Sequence, residues 1–546
     1  MIPNSTTIAE YGLINEVRIY DDSGNVLHRK ITTEYNLNSA YVSRRIIGLP
    51  SKTQFYGREA SGLNLISKTT YSYDEIPFND SLLNQNNSSV IQHDNNFSAS
   101  FEVGRGNLTS IKNWDATDSE NSGNAITSIF KYNISGSVVE KTDQAGRTIR
   151  IGYTDAFNDS QNRNTFALPT KITDAAGKFS EVKYRFETGG NVLAKSPVPQ
   201  NQIYGKTTTR HFDDFGRLQK ETLWKDIQGT LQEFSYVRYE YPANGLQSKI
   251  YTTVSDVDNS GTGNTADEFL TEVWTDGAGR TLRSRSAHPD STGGWTASIT
   301  EYDILGRLHR STVPTEVSVS DENDPQSWVP VGDDDRGIDN GDNAIWLWTE
   351  QQYDWAGRLT RIINSDGTDR LISYDGCGCA GRQVTTIQGE LVPVPTLTNV
   401  FSRRTQKIYD DILGRTEKVE NLYWDGTLST SSIYSTIKTK FNGRDQEIEI
   451  TEYSGSDASA TFQTTTRNYD GFGRLKTQHV PEQDTNSFTT YNYNSDNSVS
   501  SVVDARGAST GYVYNTRGLL TNINYSVPTG STIPTGSNIS FTYDDA

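Results

Sequence analysis

Tyr469-Asp470-Gly471-Phe472-Gly473-Arg474-Leu475 is a phrase that this chain repeats. It returns as Tyr302-Asp303-Ile304-Leu305-Gly306-Arg307-Leu308 and as Tyr353-Asp354-Trp355-Ala356-Gly357-Arg358-Leu359. With Phe in place of Tyr it returns again as Phe212-Asp213-Asp214-Phe215-Gly216-Arg217-Leu218. Looser copies at 20–25, 142–147, 173–178 and 275–280 keep the Asp and the Gly. In Tyr409-Asp410-Asp411-Ile412-Leu413-Gly414-Arg415 one more residue separates Tyr from Gly, and 441–444 and 514–519 are weaker relatives. A unit this short cannot bury its own apolar face, so its copies are expected to stack on one another.

Each residue type has a physical role. The aromatic closes one strand, and the Asp carboxylate accepts a backbone N–H two residues on. The Gly supplies a positive φ, and Arg-Leu opens the return strand. Asp at the first position of a type I turn with Gly at the fourth is the turn that closes a hairpin through a G1 bulge.

The pattern closely resembles the RHS/YD-repeat family, over essentially the whole chain from about Tyr20 onward. That family includes bacterial toxin shells and is related to the Tc-toxin cocoon and to animal teneurins. The resemblance implies an all-β fold in which a β-hairpin ribbon winds into a spiral shell. In bacteria such a shell surrounds a toxic C-terminal polypeptide; in animals it forms part of cell-adhesion proteins. The resemblance assigns Tyr302, Asp303, Gly306, Arg307, Tyr353, Asp354, Gly357, Arg358, Tyr469, Asp470, Gly473 and Arg474 to the fold and not to chemistry. Nothing in the chain matches the family's autoproteolytic core segment or a toxin that follows it.

Composition sets bounds around this reading. Residues 1–546 are read as one repeat region, interrupted by acidic insertions at 256–268 and 321–343. An apolar content of 33% is low for a packed globule of this length, and a hollow sheet with one solvated face needs less. The net charge of −18 argues against a phosphate-binding surface, which needs clustered Lys and Arg. The Arg residues of the phrases are expected to pair with carboxylates of neighbouring turns; the alternative is a grip on an acidic cargo. With only Cys377 and Cys379 there is no disulfide framework. No stretch reaches the ~18 apolar residues of a membrane helix, and the N-terminus lacks the features of a secretory signal. Tyr543-Asp544-Asp545-Ala546 begins another phrase. The chain therefore reads as part of a longer protein, and the resemblance implies a bacterial one that is secreted or carried to the cell surface.

Along the chain, 74–97 reads as an exposed Asn-rich loop and Leu391–Pro395 as a loop between strands. Ser196-Pro197-Val198-Pro199 is expected to break strand pairing and mark an irregular crossing. Phe234–Tyr241 is a strand with aromatics on both faces. Tyr491, Tyr493, Tyr512, Tyr514 and Tyr525 are read as an aromatic ladder, and any helix as short and confined to insertions.

Three features invite a binding role. Asp256, Asp258, Ser260, Asn264 and Asp267, with Gly261 at the sixth position, follow the spacing of a twelve-residue calcium loop. Ser at the fifth position, Asp at the twelfth and the missing flanking helices depart from that pattern, and a solvated acidic turn is the alternative. Asp333–Asp342 has similar charge with less regular spacing. Cys377-Gly378-Cys379 offers two soft ligands where zinc needs four. Trp328, Trp346 and Trp348 could stack on sugar rings, or pin the second insertion to the sheet.

No phosphate loop or His-Glu-x-x-His motif is present. The expected function is structural and non-enzymatic: a β-shell around a C-terminal polypeptide. The alternative is an extracellular adhesive, glycan-binding or self-assembling surface repeat. Gly473→Val places a β-branched residue at positive φ and is expected to cost about 1–3 kcal/mol. An unchanged thermal midpoint in that variant contradicts the turn assignment.

Overall fold

The computed structural model describes residues 5–544 except 9, 22–23, 60, 76–89, 98–100, 102–103, 118–123, 243–246, 254–267, 289–292, 323, 332–344, 377–382, 394–400, 425–430 and 535. Its described residues form one antiparallel sheet of 37 strands. With one exception, each strand pairs with the next along the chain, as expected when every connection is a hairpin. The register slips by one residue where a repeated phrase closes its strand, at Glu301/Tyr302, Gln352/Tyr353 and Asn468/Tyr469. These are the bulges that the Asp-to-Gly spacing demands.

The exception is the strand Trp295–Tyr302. Its first half pairs with Thr315–Val319 and its second half with Leu308–Thr312. Thr315–Val319 and its partner Trp328–Pro330 form a side branch, and the ribbon resumes at Trp348–Tyr353 beside Leu308–Thr312. The 321–343 insertion thus begins inside a branch of the sheet. Three other expectations are corrected. Leu391–Pro393, expected in a loop, ends the strand Val384–Pro393 and pairs with Phe401–Asp410. The 196–199 run lies between Asn191–Lys195 and Thr207–Phe212, which pair directly, so its prolines shape a loop and not a crossing. Among the described residues the single α-helical turn, Ser39–Val42, lies between Leu27–Tyr35 and Pro50–Glu59, outside both acidic insertions. Its first turn is capped by the Asn38 side chain, which accepts the Ala40 N–H at 2.9 Å.

Directly opposed residues of an antiparallel pair share a face, so the register sorts the side chains. One face carries ions: Lys131–Glu140–Arg150, Arg238–Glu268, Lys249–Glu272–Arg285, Glu301–Arg310 and Arg361–Asp369–Arg403. The other carries Ile372, Ile387, Ile408, Val419, Ile437 and Ile450, all half-buried. In the strand Thr230–Glu240, Tyr236 and Arg238 belong to the ionic face and Val237 and Tyr239 to the apolar one. The buried Tyr236, Glu272, Trp274, Arg285 and Thr436 lie on the ionic face. There the branch folds over the sheet, and Trp274, Ala297, Val317 and Trp328 form a core flanked by Trp295 and Trp346. The Arg285 guanidinium pairs with Glu272 and sits 4.3 Å from the Trp295 ring and 5.5 Å from those of Trp274 and Trp328. Pairing and aromatic faces together compensate a buried cation.

Successive turns fall on alternate edges of the ribbon. One edge, called here the first, carries the turns at 213–217, 303–307, 354–358, 411–415, 442–446, 470–474, 494–498 and 515–519. The second edge carries those that follow Tyr20, Glu59 and Trp114 and those at 143–147 and 174–178. The ribbon winds back on itself, and the first edge of the later winding rests on the second edge of the earlier one. Arg29 pairs with Asp445, 416 residues away. The Ala116 N–H donates to the Gly471 carbonyl at 2.9 Å. Arg147 meets Asp496 at 2.7 Å and Arg517 meets Asp174 at 2.7 Å.

Gly57 and Gly443 touch across this seam: a Cβ on Gly57 would stand 2.5 Å from the Gly443 Cα. Gly57 lies in an extended strand, so a side chain there strains the seam and not its own backbone. Gly57→Val is expected to lower stability by about 1–3 kcal/mol by overpacking. Gly389→Ala, whose Cβ meets its nearest neighbour at an ordinary 3.5 Å, should leave it unchanged. Chemical denaturation of both variants checks this; equal stabilities would contradict the seam.

Candidate functional site: the repeated turn and its locks

At Asp470 one carboxylate organises the turn. Oδ1 accepts the N–H groups of Phe472 at 3.0 Å and Arg474 at 2.9 Å, and Oδ2 accepts Arg474 Nε–H at 2.7 Å. The backbone closes with Gly473 N–H to the Asp470 carbonyl at 2.9 Å, and Gly473 has φ +84°. Asp303 holds Leu305 and Arg307 in the same way, and Asp354 holds Ala356 and Arg358. Their glycines, Gly306 and Gly357, have φ +80° and +82°. In the lengthened copy the second aspartate, Asp411, does this work, accepting from Leu413, Arg415 N–H and Arg415 Nε.

The remaining residues of the phrase lock one turn to the next. The Tyr353 hydroxyl donates to the Leu308 carbonyl at 2.8 Å, and the Arg307 guanidinium stands 4.5 Å from the Tyr353 ring. Tyr374 takes the Leu359 carbonyl at 2.9 Å and stacks under Arg358 at 4.5 Å. Tyr493 does so with Leu475 at 2.7 Å and Arg474 at 4.5 Å. Tyr302 and Tyr469 donate to Thr281 and Glu447 carbonyls. The expected pairing of Arg with carboxylates of neighbouring turns holds at Arg147–Asp496, Arg517–Asp174 and Arg415–Asp445, and is joined by a bond within the turn itself. Each of these arginines binds its own aspartate and the next aromatic ring, and Arg415 also reaches Asp445 of the following turn at 2.9 Å. The expected tyrosine ladder is likewise a ladder of hydroxyls on carbonyls, as at Tyr493 and Tyr514.

Turns with the same bonding occur where the phrase is unrecognisable. Asn133 accepts from Ser135 and Ser137, and Asp504 from Arg506 and Ala508. Asn494 closes on Ser498 through the backbone, with Asn497 at φ 73° in the glycine position. The signal available was Asn or Asp three residues before a left-handed position. The buried Asp74 had no local signal: it accepts the consecutive N–H groups of Gly104, Arg105, Gly106 and Asn107, 30 to 33 residues away.

Asp256, Asp258, Ser260, Asn264 and Asp267 lie outside the described residues, as do Asp333–Asp342, Cys377 and Cys379. Among the described residues no three His, Cys, Asp or Glu side chains are grouped to hold a metal ion. No described helix is long and apolar enough to cross a membrane. Trp328, considered for sugar stacking, is buried in the core beneath the branch, its ring 5.1 Å from that of Trp274. Trp346 packs on the same cluster and Trp348 faces Arg310 at 4.2 Å.

No protein-family model matches the chain, and no curated protein does. Among solved structures, it is similar to TcdB2-TccC3, with 11% identity, a TM-score of 0.45 and coverage of 98% of this chain and 38% of the other. It is similar to a Photorhabdus luminescens Tc holotoxin pore at 10% identity and a TM-score of 0.35, covering 99% and 40%. A porin-like protein from Bacteroides uniformis aligns at 11% identity and a TM-score of 0.13, covering 62% and 91%. The chain spans about two-fifths of the length of the first two.

The turn carboxylates are expected to make the fold acid-sensitive. Asp276, Asp303 and Asp354 titrate below the ordinary aspartate range, held there foremost by the backbone N–H of Arg280, Arg307 and Arg358 and also by their guanidiniums. A carboxylate depressed on folding contributes in full above its unfolded pKa of about 3.9 and loses that contribution as pH falls through the folded value. The thermal midpoint is therefore expected to be flat above about pH 5 and to fall below about pH 4. Replacing these three aspartates with Asn should lower the midpoint at neutral pH and flatten the acid limb. An unaltered acid limb would show that these turns do not carry it.

Proposed function

We propose that the chain is a non-enzymatic wall that encloses a polypeptide, as part of a longer protein that is secreted or carried to the cell surface. The observation that carries this reading is the seam, where the ribbon meets itself after one winding. Roughly two dozen strands at ~4.8 Å each give a winding ~115 Å around and ~35 Å across. A sheet that returns to itself at that distance bounds a space. The half-buried Ile and Val face supports the reading, because such a row favours contact with a chain of mixed polarity over bulk water. The likeness of the turn phrase to RHS/YD repeats points the same way, with a bacterial toxin or effector polypeptide as the enclosed partner. The glycan-binding alternative loses its main support with Trp328 inside the core.

The test is protection. An unstructured reporter polypeptide joined after Ala546 should be cleaved by a broad-specificity protease several-fold more slowly than the free reporter. Gly57→Val, which opens the seam and leaves the turns intact, should abolish that difference. Equal cleavage of tethered and free reporter would refute enclosure.

A further inference from the structure

The pentapeptide Asp-Ile-Leu-Gly-Arg occurs twice, at 303–307 and at 411–415, and folds both times into the same carboxylate-centred turn. Its two environments differ. At 411–415 the turn rests on the earlier winding, where Asp411 and Arg415 act electrostatically on His28, and Ile412 and Leu413 are half-buried. At 303–307 Ile304 is 101% and Leu305 72% exposed. Phe472 and Phe215 repeat the comparison at equivalent positions: the first is half-buried on the seam, the second 87% exposed. Trp355, on the turn that follows 303–307 along the same edge, is 96% exposed.

Single exposed apolar residues are ordinary, but the consecutive first-edge turns at 303–307 and 354–358 both present large ones and form an interaction surface, with Phe215 further back along the same edge. This surface is continuous with an existing interface, because it is the earlier part of the same ribbon edge that the seam covers further on. The seam also identifies what fits: the second edge of a β-ribbon of this kind. Later in the chain that second edge presents its own exposed aromatics, Phe462 (55%) and Phe488 (41%), beside the turns at 455–461 and 480–488.

We propose that the chain associates with a second copy of itself, the first edge of one copy at Ile304, Leu305 and Trp355, with Phe215 at the margin of the contact, seating on the second edge of the other at Phe462 and Phe488. These are two pairs of turns that are each two strands apart. The contact repeats between molecules the seam found within one. Its two sides are different patches, so the association is heterologous and head to tail and does not terminate at a two-fold dimer.

Sedimentation of the purified chain over a wide concentration range tests this. The mean mass should rise from monomer past dimer with concentration. Combined Phe215→Ser, Ile304→Ser, Leu305→Ser and Trp355→Ser, all at exposed tips, should give a monomer with an unchanged thermal midpoint. A second variant, Phe462→Ser with Phe488→Ser, should also be monomeric alone. Mixed together, the two variants retain one intact edge each and should form dimers and nothing larger. A wild-type chain that stays monomeric at every concentration overturns the proposal, as does unchanged association in the fourfold variant or a mixture that yields no dimer.

Discussion

One aspartate carboxylate holding two backbone N–H groups and a guanidinium is the constraint on which the rest depends. It fixes the reversal at each hairpin and, with the glycine in the left-handed region, the bulge beside it. Because the bulge sets the register of the return strand, it decides which residues share a face. A one-residue slip at Asp303 or Asp470 would carry Arg310 or His479 of the return strand to the apolar side. The ionic and apolar faces therefore persist across many strands because the same turn resets the register repeatedly.

The arginine extends this control from one turn to the next. Its Nε is committed to its own aspartate, which orients the guanidinium plane over the ring of the following phrase. That ring's hydroxyl donates to the carbonyl of the leucine that follows the arginine. Two adjacent hairpins are thus fastened near their turns by contacts wholly encoded in the phrase, whatever strands lie between. This explains how strands as different in length as Leu308–Thr312 and Phe401–Asp410 coexist in one ribbon. It also explains how the ribbon tolerates a branch: the turns at 303–307 and 354–358 remain locked to each other although 315–347 departs between them.

The repeated phrase made the all-β ribbon and the identity of its turn residues legible, because those contacts are local. The chain also disclosed the second insertion, and Trp328 within it, but not that the insertion begins by adding strands over Trp274 and Ala297. That depends on a strand sharing one edge between two partners, and no periodicity marks it. The seam was equally silent. Arg29 and Asp445 are ordinary surface charges in sequence, and Gly57 looks like any strand glycine until its partner, Gly443, is brought against it. The seam is set by accumulated twist and curvature over some two dozen strands, a sum of small terms that no single window contains.

Solenoids stabilise each unit chiefly through its neighbours, and this ribbon adds a second set of neighbours one winding away. The two sets differ in chemistry. Along the ribbon, contacts are the backbone ladder with its repeated Asp–Arg–Tyr lock; across the seam they are glycine contacts, a few ion pairs such as Arg147–Asp496, and half-buried tips such as Phe472. These part-buried ion pairs are few, and the seam has few backbone bonds to add. The windings are therefore held less firmly than the hairpins within them. In such a wall the ribbon persists while neighbouring windings part, so opening would follow the seam and leave every turn intact.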